Sequence, residues 1–435
     1  MANRKKTPYT PPAKIVLPRH IFALCVFALI LFGLVMVYSA SSVLALSESG
    51  DSTHYMRNQL ISIALGGIIA FVVARFIPTR LYRNRMFLIA VWLLIMGFLL
   101  LVRFAGTEIN GAVRWIYIGS FGFQPSELAK IAFALIALKI CFDKRNGEIS
   151  TNQALIRLAL LVLLPLIICI TWWESDLGTT LVVIAGLVFA MYFAEFPWPM
   201  ILAMVGVIAV FGVIFIATSE YRMQRFIVWI DPWNDGSNGY GAGYNSIRSY
   251  FAFAEGGLFG VGLGNSHEKY MYLFAPFSDF IFSTIGEELG FVGAISVVIL
   301  FIVLLWQGTR IAKVAKTDYA SALAATMTYM LVFQAFINMA SACGVIPVTG
   351  KPLPFISAGG TSMITSLIIV GLIMAVSWEA GLPDEHEQRR DDLRVIRVES
   401  QSDDRDVYPE PDRQTRRRRN DDYSYFDVDD YRKRR

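Results

Sequence analysis

Long apolar runs dominate this chain and limit what it can fold into. Most are near the ~20 residues that a helix needs to cross a bilayer. Only 17% of the residues are charged, against roughly 25% in an average soluble domain, so a soluble globule is excluded. We predict an all-α integral membrane protein with about ten transmembrane helices, at residues 21–40, 59–76, 86–102, 128–142, 154–173, 177–193, 200–218, 280–306, 319–343 and 361–378.

The basic residues predict how these helices are oriented. A basic segment precedes the first run, and alternate loops are rich in lysine and arginine, as expected for cytoplasmic loops. An even number of spans returns the C-terminus to the same side, so both termini are predicted to be cytoplasmic. The excess of basic residues is modest and does not indicate nucleic-acid binding. The basic loop residues are Arg80, Arg83, Arg85, Lys144, Arg145, Arg310, Lys313 and Lys316.

Composition divides the chain into three parts. Residues 1–19 form a cytoplasmic N-terminal segment, and residues 20–380 form the membrane domain. Within that domain, residues 219–279 make a large extracytoplasmic loop between the seventh and eighth helices, whose glycines and aromatic residues favour order over disorder. Residues 381–435 contain few apolar side chains and predict a disordered, charged cytoplasmic tail. The cysteines have no metal-ligand spacing and are expected to be buried free thiols.

Polar residues at the ends of the spans are candidates for a reactive centre, because they are costly in a membrane. Asp279 begins the eighth span among three phenylalanines. Their rings would desolvate the carboxylate and raise its pKa, which suits a general base or acid. A helix cap is the alternative role.

The fourth and sixth spans begin with similar polar residues. Gln124 is a candidate N-cap, and Glu127 lies one turn before Lys130 on the same helix face. Asp176 precedes the sixth span, where an N-cap is again the simpler interpretation. The Pro347–Thr361 loop combines prolines, glycines and Lys351, a composition typical of loops that dip into a membrane protein.

All these polar features fall on the predicted outer side. A transporter needs access from both faces, so the asymmetry favours a reaction at the outer surface. Two other motifs carry less weight. Gly260–Gly264 is not a dinucleotide fingerprint, because no strand and helix frame it. No histidine has a second ligand at helical spacing, so no metal site is assigned.

A series of strings, in order, resembles the SEDS family of bacterial cell-wall polymerases (the FtsW, RodA and SpoVE proteins) over about residues 20–380. The strings are Gly111–Trp115, Gln124–Lys130, Ser175–Thr179, Gly256–Gly260, Ser278–Phe282, Gly286–Gly290 and Pro347–Gly360. The resemblance implies a multi-pass protein of the bacterial cytoplasmic membrane. It also implies an inverting glycosyltransferase that polymerises lipid II, a disaccharide-pentapeptide on undecaprenyl pyrophosphate, into glycan strands.

The resemblance also implies roles for individual residues. Asp279 matches the family's catalytic aspartate and would activate the acceptor 4-hydroxyl. A Mg²⁺ or Mn²⁺ ion is an alternative to basic side chains for stabilising the leaving pyrophosphate, and no organic cofactor is expected. The expected substrate-binding residues are Arg114, Gln124, Glu127, Lys130, Asp176, Lys269, Lys351 and Ser357.

Partners follow from the same resemblance. They are a class B penicillin-binding protein that cross-links strands, other division or elongation proteins, and membrane lipids. The Gly264–Tyr270 string and the charged tail favour the division branch, FtsW, over elongation. A lipid II flippase, or a division scaffold acting through the tail, are the competing functions.

The chain departs from the family pattern at several positions. Glu174-Ser175 stands where relatives usually have Gln-Pro, and Ala358 replaces a common tyrosine. The glutamate that usually precedes the Asp279 string is absent.

Overall fold

The computed structural model describes residues 12–109, 112–118, 121–218, 220–270 and 272–382. Most of the predicted N-terminal segment and nearly all of the predicted disordered tail lie outside the described residues. Within these ranges the chain is mainly helical, as predicted for an all-α membrane protein. The membrane sidedness of its loops stays a prediction.

The first three helices are α1 (Ala13–Ser49), α2 (His54–Phe76) and α3 (Arg85–Ala105), with one 3₁₀ turn at Thr79–Arg83. Asn84 caps α3, since its side chain accepts a hydrogen bond from the amide of Met86 at 2.9 Å. These helices expose many apolar side chains on one side, as lipid-facing helices do.

A small antiparallel sheet follows α3, which the sequence analysis missed. Its strands are β1 (Thr107–Ile109), β2 (Ala112–Ile118) and β3 (Phe121–Phe123), in the order β1-β2-β3. Tyr117 pairs with Gly122, so β2 and β3 are neighbouring antiparallel strands. The sheet was missed because its strands are only three to seven residues long. It places Arg114 beside the start of α6.

The middle of the chain forms α4 (Pro125–Arg145), α5 (Thr151–Leu158), α6 (Leu177–Phe193) and α7 (Trp198–Ala217). Two π-helical segments, Ala159–Leu163 and Leu166–Trp173, extend α5 to the length of a span. The predicted large loop contains two helices, α8 (Glu220–Ile230) and α9 (Tyr244–Gly256). Its described part is therefore ordered, as its composition indicates.

The last three helices are α10 (Ile281–Lys313), α11 (Asp318–Ala342) and α12 (Gly360–Ala380). All ten predicted runs coincide with helical segments. Among the described residues, eight helices are long and apolar enough to cross a membrane, and α6 is a shorter apolar helix. That all ten cross the membrane stays a prediction.

The most buried helices mark the centre of the bundle. The apolar window is 78% buried in α11 and 72% in α12, but only 11% in α7. Helix α4 is buried along almost its whole length. The polar residues of α4 and α11 therefore lie inside the protein rather than in lipid, at the place where a membrane bundle carries its site.

Helix α10 is broken near its start, and an earlier segment fills the break. Gly290 has φ 68° and ψ −166°, which interrupts the helical backbone. The segment Gly257–Gly262 supplies replacement partners: Val261 N–H donates to Glu287 O at 3.0 Å, and Phe291 N–H donates to Gly257 O at 2.9 Å. The two glycine-rich strings noted in the sequence are thus one packed unit.

One expectation about cysteines is wrong. All four thiols are free, and Cys25, Cys141 and Cys169 are buried as expected, but Cys343 is exposed. Cys343 is the residue just after α11, where the chain leaves the bundle.

Candidate active site

Two lysines and two carboxylates form a buried charged group, here called the central cluster: Glu127, Lys130, Asp176 and Lys351. Lys130 Nζ lies 2.7 Å from Glu127 Oε2. Lys351 Nζ lies 2.8 Å from Asp176 Oδ2 and 3.3 Å from Glu127 Oε1. Each residue is at most 3% exposed. The opposite charges balance, which is how a protein tolerates ions away from water.

Helix starts place the two carboxylates. Pro125 takes the first position of α4 and Gln124 the N-cap position, so Glu127 falls in the first turn, as predicted. Asp176 is the N-cap of α6 and accepts a hydrogen bond from Thr179 N–H at 2.9 Å. Asp176 therefore both caps α6 and belongs to the central cluster, so the two roles are compatible.

Neutral side chains complete the cluster. Gln124 Nε2 donates to Asp176 Oδ2 at 3.0 Å rather than capping α4. Lys130 donates to Gln334 Oε1 at 2.6 Å. Gln334 is not among the residues predicted from the sequence, although an amide inside a long apolar run is itself a signal of a buried site.

Lys351 arrives on the predicted re-entrant loop between α11 and α12. Leu353, Phe355 and Ile356 are each at most 1% exposed, so this loop does dip into the protein. A Cβ at Gly178 would lie 2.5 Å from Lys351 Cγ. This close approach explains why a glycine stands two residues after Asp176. Burial lowers the pKa of Lys351, but Asp176 and Glu127 outweigh it and the net shift is upward.

Arg114 of β2 holds the backbone before α6. Its Nε donates to Glu174 O at 2.6 Å, and its Nη2 donates to Ser175 O at 2.7 Å. Ser175 has a positive φ of 51°, a conformation that the arginine helps to hold in place. Arg114 thus positions Asp176 and adds positive charge next to it.

Asp279 lies immediately before α10, beside the Lys351 loop. Asn338 of α11 joins the two segments, since its Nδ2 donates to Asp279 O at 2.9 Å and to Lys351 O at 2.7 Å. A Cβ at Gly350 would lie 3.7 Å from Asp279 Oδ2, so a glycine leaves open space next to the carboxylate. Asn338 is a second polar residue of α11 that the sequence analysis missed.

The carboxylate of Asp279 differs from those of the central cluster. The Ser278 hydroxyl donates to it at 3.2 Å, and it has no lysine or arginine ion pair within the described part of the chain. Burial raises the pKa of Asp279 above its usual range, while Ser278 and Lys351 partly oppose the shift. A partly buried carboxylate with a raised pKa is suited to accept a proton.

Three phenylalanines, Phe277, Phe280 and Phe282, were expected to surround Asp279. Two of them pack instead against aromatic rings of other helices. Phe282 packs against Phe253 of α9, with ring centroids 5.8 Å apart, and Phe277 packs against Tyr55 of α2 at 4.4 Å. Phe280 is 4% exposed. Two of the rings therefore fasten Asp279's segment to α9 and α2.

The remaining two predicted substrate-binding residues, Ser357 and Lys269, also make internal contacts. Ser357 Oγ donates to Ser278 O at 2.6 Å and accepts from Leu353 N–H at 2.8 Å, so it fastens the loop to the segment before Asp279. Lys269 pairs with Glu288 at 2.8 Å, in a separate buried group on α10. Binding roles for both stay predictions.

Glu174 is a further buried acid that the sequence analysis noted only as a departure from the family. It is 2% exposed, and neither carboxyl oxygen has a hydrogen-bond partner among the described residues. Burial raises the pKa of Glu174 to about 8. Asp176, two residues later, has its pKa lowered to about 2, because Lys351 and Arg114 outweigh the effect of burial.

The helical bundle and its one-ended charged site define a class: a multi-pass membrane protein with a buried acid–base centre at one end. Comparison with known proteins defines the family. The model of the FtsW/RodA/SpoVE family, described as cell cycle proteins, matches residues 19–381. The chain therefore belongs to the SEDS family, and it is a multi-pass protein of the bacterial cytoplasmic membrane, as predicted.

Relatives place it nearer the FtsW side of that family. It is 36% identical over 361 residues to a probable peptidoglycan glycosyltransferase FtsW of Geobacter metallireducens, covering 82% of this chain and 94% of that protein. It is 34% identical to stage V sporulation protein E of Bacillus subtilis, covering 83% and 97%. The FtsW-like assignment is thus supported.

Solved structures agree with the fold. A structure described as a peptidoglycan synthase complex that coordinates polymerization and crosslinking matches with a TM-score of 0.67 and 26% identity, covering 83% of this chain and 98% of that one. The rod shape determining protein RodA of Thermus thermophilus matches with a TM-score of 0.60 and 26% identity, covering 83% and 97%.

Proposed function

We propose that this chain is a peptidoglycan glycosyltransferase that polymerises lipid II at the outer face of the cytoplasmic membrane, with Asp279 as the general base. The names of the relatives give the reaction class. The observation that carries the residue assignment is the Asp279 carboxylate, which has a raised pKa, no basic ion-pair partner among the described residues, and open space beside Gly350.

In the proposed reaction, Asp279 takes the proton of the acceptor sugar's 4-hydroxyl. That oxygen attacks the anomeric carbon of the donor as the bond to undecaprenyl pyrophosphate breaks. A single displacement inverts the anomeric carbon. The leaving group departs as a pyrophosphate anion, so nearby positive charge lowers the barrier.

In this proposal the basic residues of the site act mainly through their electrostatic field on the leaving pyrophosphate and by positioning neighbouring segments. The Nζ of Lys351 contacts Asp176, Glu127 and Thr179, so its three N–H donors are already engaged. It holds the re-entrant loop next to Asp279. A Mg²⁺ or Mn²⁺ ion at the leaving group, the alternative to basic side chains, stays a prediction. The central cluster is poorly suited to hold it, because the carboxylates there are already paired with lysines.

A partner protein completes the proposed role. The similar synthase complex couples polymerization to crosslinking. We propose that this chain works with a class B penicillin-binding protein and with division proteins, in contact with membrane lipids.

The test is polymerisation of labelled lipid II by the purified chain with its cognate transpeptidase. Asp279→Asn should lower the rate about 10²- to 10⁴-fold, the range for loss of a general base. Asp231→Asn is the matched control, since Asp231 is exposed in the same large loop and its carboxylate accepts a hydrogen bond from the Trp233 amide. Polymer formation at an unchanged rate in Asp279→Asn would refute the base assignment. Lipid scrambling by the wild type without polymer would favour a flippase.

A further inference from the structure

A second group of ligand-bearing side chains lies outside the central cluster. Glu255 of α9, His267 of the loop before α10, and Glu287 of α10 each present one ligand atom within 4.8 Å of the others. His267 Nδ1 lies 3.2 Å from Glu255 Oε2. Glu255 and His267 are exposed, and Glu287 is fully buried, so the group opens to solvent on one side and is anchored on the other.

Glu287 is held in a fixed orientation. Ser266 Oγ and the amides of His267 and Glu268 all donate to its carboxylate. Hydrogen bonds of this kind orient a ligating carboxylate while leaving lone pairs for a metal ion. The anchor of the group is therefore built before any ion binds.

The charges around the group are unbalanced. Arg248 pairs with Glu268 at 3.4 Å, and Lys269 pairs with Glu288 at 2.8 Å. Glu255 and Glu287 then have no lysine or arginine ion pair in the described part of the chain. In addition, Glu268 is 4% exposed and its Oε2 is a buried atom with no hydrogen-bond partner among the described residues. Glu268 lies outside the group of three, but it adds to the local excess of negative charge, which a bound cation would balance.

We propose that Glu255, His267 and Glu287 bind one divalent transition-metal ion such as Zn²⁺ or Mn²⁺. One imidazole nitrogen with two carboxylates is a mixed ligand set that suits these ions better than Ca²⁺ or Mg²⁺, which favour oxygen alone. Three protein ligands leave coordination positions for water. The ion clamps α9, the loop and α10 together at the broken start of α10. Sequence spacing could not show this, because the three ligands come from separate elements.

The experiment measures metal binding and needs no activity. The full chain, purified and stripped with a chelator, is titrated with Zn²⁺ against a chromophoric chelator and with Mn²⁺ by electron paramagnetic resonance. One saturable equivalent is expected, together with a rise in the unfolding temperature. His267→Ala and Glu255→Gln should each weaken binding at least about tenfold. Both residues are exposed, so these variants should still fold.

His20→Ala is the matched control, since His20 is an exposed histidine on α1 outside the group, and it should bind as the wild type does. Absence of a saturable equivalent, or equal affinity in all four proteins, would overturn the proposal. Competition by Ca²⁺ or Mg²⁺ as strong as by Zn²⁺ would overturn the assignment to a transition metal.

Discussion

Glu174 and Asp176 lie two residues apart, yet their surroundings shift their pKa values in opposite directions. Asp176 accepts hydrogen bonds from Lys351, Gln124 and Thr179, so its charged form is stabilised. Glu174 is equally buried but has none of these partners. Its raised pKa of about 8 favours the protonated, uncharged form at pH 7, which matches the uncharged glutamine that relatives usually carry at this position.

Glu174→Gln should change how stability depends on pH. The folded-state pKa of Glu174, about 8, lies above its ordinary value of 4.5. The wild type therefore loses stability as pH rises between these values, by about 1.4 kcal/mol per pH unit for one proton. In thermal unfolding in detergent from pH 5 to 9, the unfolding temperature of the variant should rise relative to that of the wild type as pH rises. Parallel curves would contradict the assignment.

Lys351→Met should destabilise the protein strongly. It leaves the buried carboxylate of Asp176 without its lysine, and breaking a buried ion pair costs about 3–5 kcal/mol. Arg57→Met is the matched control, because the Arg57–Asp51 pair is 61% and 41% exposed and such pairs contribute about 0–1 kcal/mol. The two unfolding temperatures are compared. Similar losses in both variants would show that the central cluster is not stabilising.

Among the secondary-structure elements, the broken start of α10 has the clearest consequence for the site. Asp279 precedes α10 by two residues, and the glycine segment 257–262 fills the break at Gly290, about two and a half turns further along. The close approach requires glycine on both sides: a Cβ at Gly260 would lie 2.2 Å from Glu288 O. The large loop is thereby fixed to the helix that carries the proposed base.

Gly290→Ala tests this packing. Gly290 has a backbone conformation open essentially only to glycine, and a Cβ there would lie 2.4 Å from Gly260 N. We expect a loss of at least about 1–3 kcal/mol in unfolding free energy from the backbone strain alone. Gly97→Ala in α3 is the control, since nothing lies within 4 Å of its added Cβ, and it should be neutral or slightly stabilising. Equal unfolding temperatures for the two variants would count against the break.

Sequence patterns predicted the helices but not the contacts that join them. Runs of apolar residues locate α1 to α7 and α10 to α12, because lipid and core both select for them. The sheet around Arg114 and the break at Gly290 depend on contacts between distant segments, which periodicity cannot show. In the site, Glu127 and Lys130 follow from helical spacing. The partners Gln334 and Asn338 needed the structure, although their place in an apolar run was visible.

At the scale of the whole molecule, the two ends of the bundle differ in kind. The predicted outer end holds the central cluster, Asp279 and the re-entrant loop. The other end carries ion pairs that are partly exposed, such as Arg145 with Asp318 at 2.9 Å, whose side chains are 29% and 75% exposed. A pathway through the membrane would need polar groups along its length, so this asymmetry favours chemistry at one face.

The orientation can be tested with the native cysteines. Cys343 follows α11 next to the Lys351 loop and is exposed, whereas Cys25, Cys141 and Cys169 are buried. In intact cells, a membrane-impermeant maleimide should therefore label this protein at Cys343 alone. Cys343→Ser should abolish the labelling of this protein. The thiolate is the reactive form of a cysteine, so labelling should speed up as pH rises above 7. Labelling of Cys343 only after the cells are opened would reverse the topology and place Asp279 in the cytoplasm, away from an extracytoplasmic acceptor.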